Sequence, residues 1–152
     1  VQRGIIGQII ERFERAGLKI VGAKMLSPSK DHLHHHYETI SKMISRRGQK
    51  AFDVTLQFMQ GAPVMAFVIE GIQAVAVVRK LVGTTEPFAA APGTIRGDFA
   101  HMSFAHADKE DKGVPNLIHA SGTVEEAEAE IDHWFDTEEL YSYQTVHEKH
   151  VF

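Results

Sequence analysis

Apolar residues near the start of the chain recur at helical spacing. Ile6, Ile9, Ile10 and Phe13 share one face, with Glu11, Arg12, Glu14 and Arg15 between them, and Gly17 marks the expected stop. Residues 18–26 (LKIVGAKML) then read as a strand, closed by Ser27-Pro28. From Lys30 onward, Leu33, Tyr37, Ile40 and Ile44 predict a second amphipathic helix running to Arg47-Gly48. Residues 51–59 continue helical, with Phe52, Leu56 and Met59 on one face, until Gly61-Ala62-Pro63 breaks the pattern. The unbroken apolar run 64–69 has strand length and suggests a central strand buried on both faces. Residues 72–81 predict a helix with Val75, Val78 and Val82 inward and Gly83 at its end.

Residues 84–115 show no clear period and far exceed an ordinary connection, a length that marks functional or disordered loops. The first half, rich in Pro, Gly and Thr, suits a binding loop, whereas HADKEDKGVP has the charge of a solvated surface insertion. In NLIHASG (116–122), Leu117 and Ile118 read as the end of a short buried strand, and Ala120, Ser121 and Gly122 let the backbone bend. Thr123 with Glu126 is a capping box that starts a helix over 124–135, with Ala127, Ile131 and Trp134 facing the core. His119 therefore lies between a strand and a helix N-terminus, where amide N–H groups favour an anion and disfavour imidazolium. A neutral imidazole beside an anion site is equipment for phosphoryl transfer. Beyond the helix the pattern is irregular, with Leu140, Tyr141 and Tyr143 available for packing.

At 152 residues the chain is expected to form one domain, 1–152, with a substantial core. A net charge of −4 and the lack of a basic stripe with interleaved aromatics argue against nucleic acid or an anionic membrane as the main partner. With no cysteine there is neither a disulfide framework nor thiol chemistry, which fits a reducing, cytoplasmic setting. No apolar run has the length needed to span a bilayer.

VQRG at 1–4, PGTIRGDF at 92–99 and the N-x-x-H-x-S of 116–121, in that order, resemble the nucleoside diphosphate kinases. The resemblance implies an α+β, ferredoxin-like βαββαβ antiparallel sheet covered by helices, with the central strand lying before Val1. It further implies that His119 attacks the terminal phosphate of an NTP, forms a phosphohistidine and passes the group to an NDP by ping-pong kinetics. Glu130 matches the residue that orients this ring, and Ser121 the serine supporting it. Arg79 and Arg96 match the phosphate clamps, Thr85 a hydroxyl donor to phosphate, and Asn116 a contact to the ribose. Tyr37 matches the tyrosine near the reactive ring, and Phe52 stands for the platform that stacks on the base, although about ten extra residues (41–50) displace the match there. Mg²⁺, carried mainly by phosphate oxygens and water with no protein ligand, and a homo-oligomer packed through the PGTIRGDF loop are also implied.

The residues alone leave blander roles open: a solvated helix position for Arg79, a salt bridge with Asp98 for Arg96, turn capping for Thr85, an Asx turn for Asn116 and an exposed helix carboxylate for Glu130. Two departures bear on activity. The family lysine that meets the terminal phosphate lies in a KPDG segment ahead of VQRG, and Gly122 stands where the family has an aspartate near the metal. The alternative reading is accordingly a catalytically impaired nucleotide-binding module of the same fold. The run His32, His34, His35, His36 invites a transition-metal site, but no carboxylate or cysteine completes one in sequence.

Overall fold

Helix α1 (Ile6–Arg15) ends as its sequence dictates. Gly17 takes φ 82°, so its N–H reaches Glu14 O at 2.9 Å while the Leu18 N–H reaches Phe13 O at 3.1 Å. The chain then enters β1 (Lys19–Leu26), which pairs antiparallel with β2 (Val64–Glu70) in a register running from Lys19↔Glu70 to Leu26↔Val64. The computed structural model describes residues 1–146 and 148–151, and among these β1 and β2 make up the sheet. Only Val68 of β2 is fully buried, so the two-sided burial expected for 64–69 is not realised.

The long helix expected between Lys30 and Arg47 is broken into pieces. Helix α2 (Lys30–His34) is capped by Ser29, whose Oγ accepts the His32 N–H at 3.1 Å, and it widens into a π turn over His35–Ile40. That turn carries two consecutive buried side chains, His36 and Tyr37. Lys42, at φ 49°, ends the run, and α3 (Met43–Arg47) starts afresh with Glu38 Oε2 accepting the Ile44 N–H at 3.1 Å. Helix α4 (Gln49–Met59) follows and leads to β2.

Helix α5 (Ala74–Val82) turns Ala74, Val77, Val78, Leu81 and Val82 to a core that includes Ile9, Phe13, Leu18 and Ile95. Val75 lies outside that cluster, one correction to the predicted face. The region expected to lack regular structure contains a 3₁₀ turn (Pro87–Ala89), α6 (Ile95–Phe99) and α7 (Phe104–Lys109). Both helices are opened by hydroxyl caps: Thr94 Oγ1 accepts the Gly97 N–H at 3.1 Å and Ser103 Oγ the His106 N–H at 3.2 Å.

Helix α8 (Val124–Trp134) carries Ile131 and Trp134 to a cluster of Val21, Val68 and Phe135. Trp134 also touches a second cluster of Leu33, Tyr37, Phe52 and Leu56. The chain closes with a 3₁₀ turn (Thr137–Glu139) and α9 (Glu148–Val151). Between them it straps β1: the Tyr141 N–H donates to Val21 O at 2.8 Å, and the Tyr143 hydroxyl to Ile20 O at 2.7 Å. The buried Lys19 ammonium adds bonds to Tyr143 O at 2.8 Å and Glu148 Oε1 at 3.0 Å. The result is the α+β class expected from the sequence.

Candidate active site

Residues 114–122 do not form the strand expected at 117–119. The N–H groups of Asn116 and Ile118 bond only two residues back, to Val114 O at 2.8 Å and Asn116 O at 2.9 Å, and Leu117 takes φ 74°. These are tight turns, and a leucine with positive φ is strained. The carbonyls that a strand would have paired are gathered by Arg96. Its Nε donates to Asn116 O at 3.2 Å, Nη2 to Ile118 O, and Nη1 to Gly83 O at 2.9 Å, the last at the end of α5.

Arg96 is buried, at 6% exposure. Burial first, then the charges of Arg79 and Arg47, pushes its pKa down to about 10, which leaves it charged at neutral pH. The Asp98 carboxylate considered as its partner belongs instead to Arg12. Asp98 also accepts the Gly93 N–H at 2.7 Å, and that bond followed by the Arg12 contact holds its carboxyl below the usual range. Three of the five N–H groups of Arg96 are thus committed to backbone, and two remain.

His119 stands at the end of this segment with its side chain 41% exposed, while Glu130 on α8 is 9% exposed. The ring Nε2 and Glu130 Oε1 are 2.7 Å apart, and Ser121 Oγ donates to Glu130 Oε2. A carboxylate beside Nε2 selects the tautomer protonated there and leaves the Nδ1 lone pair free. Burial raises the Glu130 pKa as the largest single influence, but the His119 hydrogen bond and charge, with Ser121 and His36, outweigh it, and the carboxyl falls below its usual range. Helical periodicity left Glu130 at the rim, whereas the structure buries it beneath the histidine ring.

Arg79, on the last turn of α5, donates Nη1 to Ala120 O at 3.2 Å, the residue after His119. Thr85 and Asn116 are half-buried on the adjoining segments. At the head of α8 only half of the expected capping box forms. Thr123 Oγ1 accepts the Glu126 N–H at 3.1 Å, but the Glu126 carboxylate takes the Gly122 N–H at 2.8 Å. A side chain at 122 would place its Cβ 2.5 Å from that carboxylate, so Gly122 makes room for it.

Tyr37 packs edge-on against His36, with ring centroids 4.7 Å apart, and burial followed by the Glu130 charge pushes its pKa up to about 12. Phe52 is enclosed at 4% exposure among Leu33, Tyr37 and Leu56. A ring so enclosed has no free face to offer a base, and the role expected for it is not supported by its packing.

His36 and Trp134 were missed by sequence reasoning as members of the site. The Trp134 indole donates to His36 Nδ1 at 3.1 Å, and the His36 ring meets the His119 ring edge to face at 4.9 Å and 86°. The His-Tyr pair within a histidine-rich run was the only signal in sequence. Among the described residues, His36, His119 and Glu130 are the group of three potential ligands whose donor atoms lie within 4.8 Å. Those atoms already bond one another or Trp134, and the imidazoles do not suit a hard cation such as Mg²⁺. Among the described residues no helix is long and apolar enough to cross a membrane.

A family model described as nucleoside diphosphate kinase matches residues 1–140. A nucleoside diphosphate kinase from Borreliella burgdorferi is 41% identical over 144 residues, 95% of this chain and 86% of that protein. Among solved structures, a transition-state mimic of the Borrelia burgdorferi enzyme with bound vanadate and ADP superposes with a TM-score of 0.95 at 39% identity, covering 99% of this chain and 89% of that one. A halophilic nucleoside diphosphate kinase from Halobacterium salinarum in complex with CDP gives 0.82 at 37% identity, covering 99% and 90%.

Proposed function

The chain belongs to the nucleoside diphosphate kinase family and is a phosphotransferase acting on nucleotides, and from that premise we propose that His119 Nδ1 is the atom that carries the phosphoryl group. The observation that supports this reading is the 2.7 Å contact between His119 Nε2 and the buried Glu130 carboxylate. With the proton held on Nε2, the Nδ1 lone pair attacks the terminal phosphorus of a bound NTP. The P–N bond forms as the bond to the bridging oxygen breaks, and that oxygen leaves on the NDP. No proton leaves the ring: the positive charge it gains is met by Glu130, which Ser121 holds in place. The second half-reaction reverses these steps with a different NDP.

Arg79, beside Ala120, is a clamp on the transferring group. Arg96 supports it with its charge and its two remaining donors, while its committed donors shape the turns below His119. Thr85 and Asn116 complete the phosphate and ribose contacts, and Tyr37 lines the floor next to His36. Bound Mg²⁺ supplies charge neutralisation on the nucleotide phosphates, and the protein leaves its hydration largely to water. The single domain over 1–152 is read as cytoplasmic and as a homo-oligomer. Exposed Phe88 (73%), beside the loop expected between subunits, supports the latter.

Brief incubation with γ-labelled ATP tests the chemistry. The protein is expected to take up an acid-labile, base-stable label that a chase with any NDP removes, and His119→Ala to take up none. Label that survives in His119→Ala would overturn the assignment. An unlabelled wild-type protein that still binds nucleotide would instead favour the impaired module.

A further inference from the structure

We propose that His36 is a positioning residue for this reaction: pinned by the Trp134 indole, it braces the His119 ring from the side and leaves Glu130 Oε1 to His119 alone. The inference rests on the assignment of His119 and Glu130 given above. His36 sits on the π turn at 3% exposure, and its Nδ1 lies 3.7 Å from Glu130 Oε1, the same oxygen that meets His119 Nε2 at 2.7 Å. Two nitrogens thus stand before one oxygen, and what separates their roles is the indole.

Trp134 Nε1 donates to His36 Nδ1 at 3.1 Å, which makes Nδ1 an acceptor and puts the His36 proton on Nε2. An Nδ1 with its lone pair so engaged cannot donate to Glu130. Without the indole N–H, a proton on Nδ1 would be drawn to Oε1, the carboxylate would be shared, and the His119 tautomer would lose its anchor. The groups around His36 are His119 from the turn segment, Glu130, His133 and Trp134 from α8, Tyr37 beside it on the turn and His32 on α2. Burial first, then the His119 charge, depresses the His36 pKa to about 3, with Glu130 pulling the other way. His36 is therefore neutral wherever the enzyme works, and its ring gives His119 an edge-to-face wall at 4.9 Å rather than a competing charge.

Trp134→Phe removes the single N–H and keeps a ring. The expected result is a kcat about 10-fold lower with nucleotide KM unchanged, together with an acid limb of the kcat–pH profile displaced toward neutral, because a new bond from His36 Nδ1–H to Glu130 favours the charged ring against the burial that keeps it neutral in the wild type. In His36→Asn/Trp134→Phe no titrating group remains at 36, and the acid limb is expected to return to its wild-type position. His36→Asn alone keeps an acceptor for the indole and should leave that limb where it was. Circular dichroism shows which variants fold; if Trp134→Phe does not, His36→Asn carries the test, and a displaced acid limb in it counts against the proposal. A wild-type profile in folded Trp134→Phe, or a displacement that persists in the double variant, would overturn it. Labelling of His119 in the wild-type protein is read in the same assay, so failure of the underlying assignment is seen separately.

Discussion

On the chemistry proposed here, which nitrogen of His119 reacts is set by a single carboxylate, and this gives the sharpest test at the scale of one residue. Glu130→Gln keeps the shape but offers an amide, which can present an N–H to Nε2 and drive the ring proton to Nδ1. We expect kcat to fall by about 10–100-fold, the worth of a hydrogen bond to a charged group, with nucleotide affinity held, as read by steady-state and pre-steady-state kinetics. An unchanged kcat would remove Glu130 from the mechanism. Ser121→Ala, which loosens only the second carboxylate oxygen, should have the smaller effect of the two. At this scale the resemblance made His119, Ser121 and Glu130 legible, and the structure joins all three. It left His36 with only its place before Tyr37 as a signal, because its partner Trp134 lies 98 positions away.

The elements around the site are held by close backbone approaches. Gly97 in α6 packs against the preceding loop so tightly that a Cβ there would lie 2.1 Å from Ala91 O. Gly97→Ala should therefore cost about 1–3 kcal/mol of stability, because a backbone neighbour cannot swing aside as a side chain would. Since α6 carries Arg96, activity should fall with stability, and equilibrium urea unfolding alongside turnover would show whether it does. An alanine variant as stable as the wild type would mean the loop relaxes freely. Helices α1, α4 and α8 could be read from the sequence because each turns a regular stripe to a core, and β1 and β2 because each is a short apolar run closed by turn residues. Helices α6 and α7 could not, being five and six residues long, although Thr94 and Ser103 were signals for their starts. Residues 117–119 were misread because an apolar pair looks like strand, whereas Arg96 competes for its carbonyls.

Two behaviours belong to the molecule as a whole. His36 has a folded-state pKa depressed to about 3 from an ordinary value of 6.5, so below pH 6.5 the unfolded chain takes up a proton that the native state refuses. Its contribution to stability is complete above that pH and is lost progressively as pH falls toward 3. Lowered Glu130 acts in the same sense below its ordinary 4.5. Thermal midpoints measured from pH 7 to 4 should fall, and His36→Asn should flatten the upper part of that curve; a flat wild-type curve would contradict the burial of a neutral ring. The second is the assembly proposed above, which Phe88 tests. Phe88→Glu is expected to lower the sedimentation coefficient toward that of a single chain, and an unchanged coefficient would count against a subunit contact through Phe88.

The strap of Tyr141 and Tyr143 along β1 has a protective consequence of its own. A two-stranded sheet with a bare flank invites other chains to add strands to it. By occupying the carbonyls of Ile20 and Val21, the tail closes that stretch of the β1 edge to strand addition, and a proteolytic nick behind Leu140 is expected to reopen it.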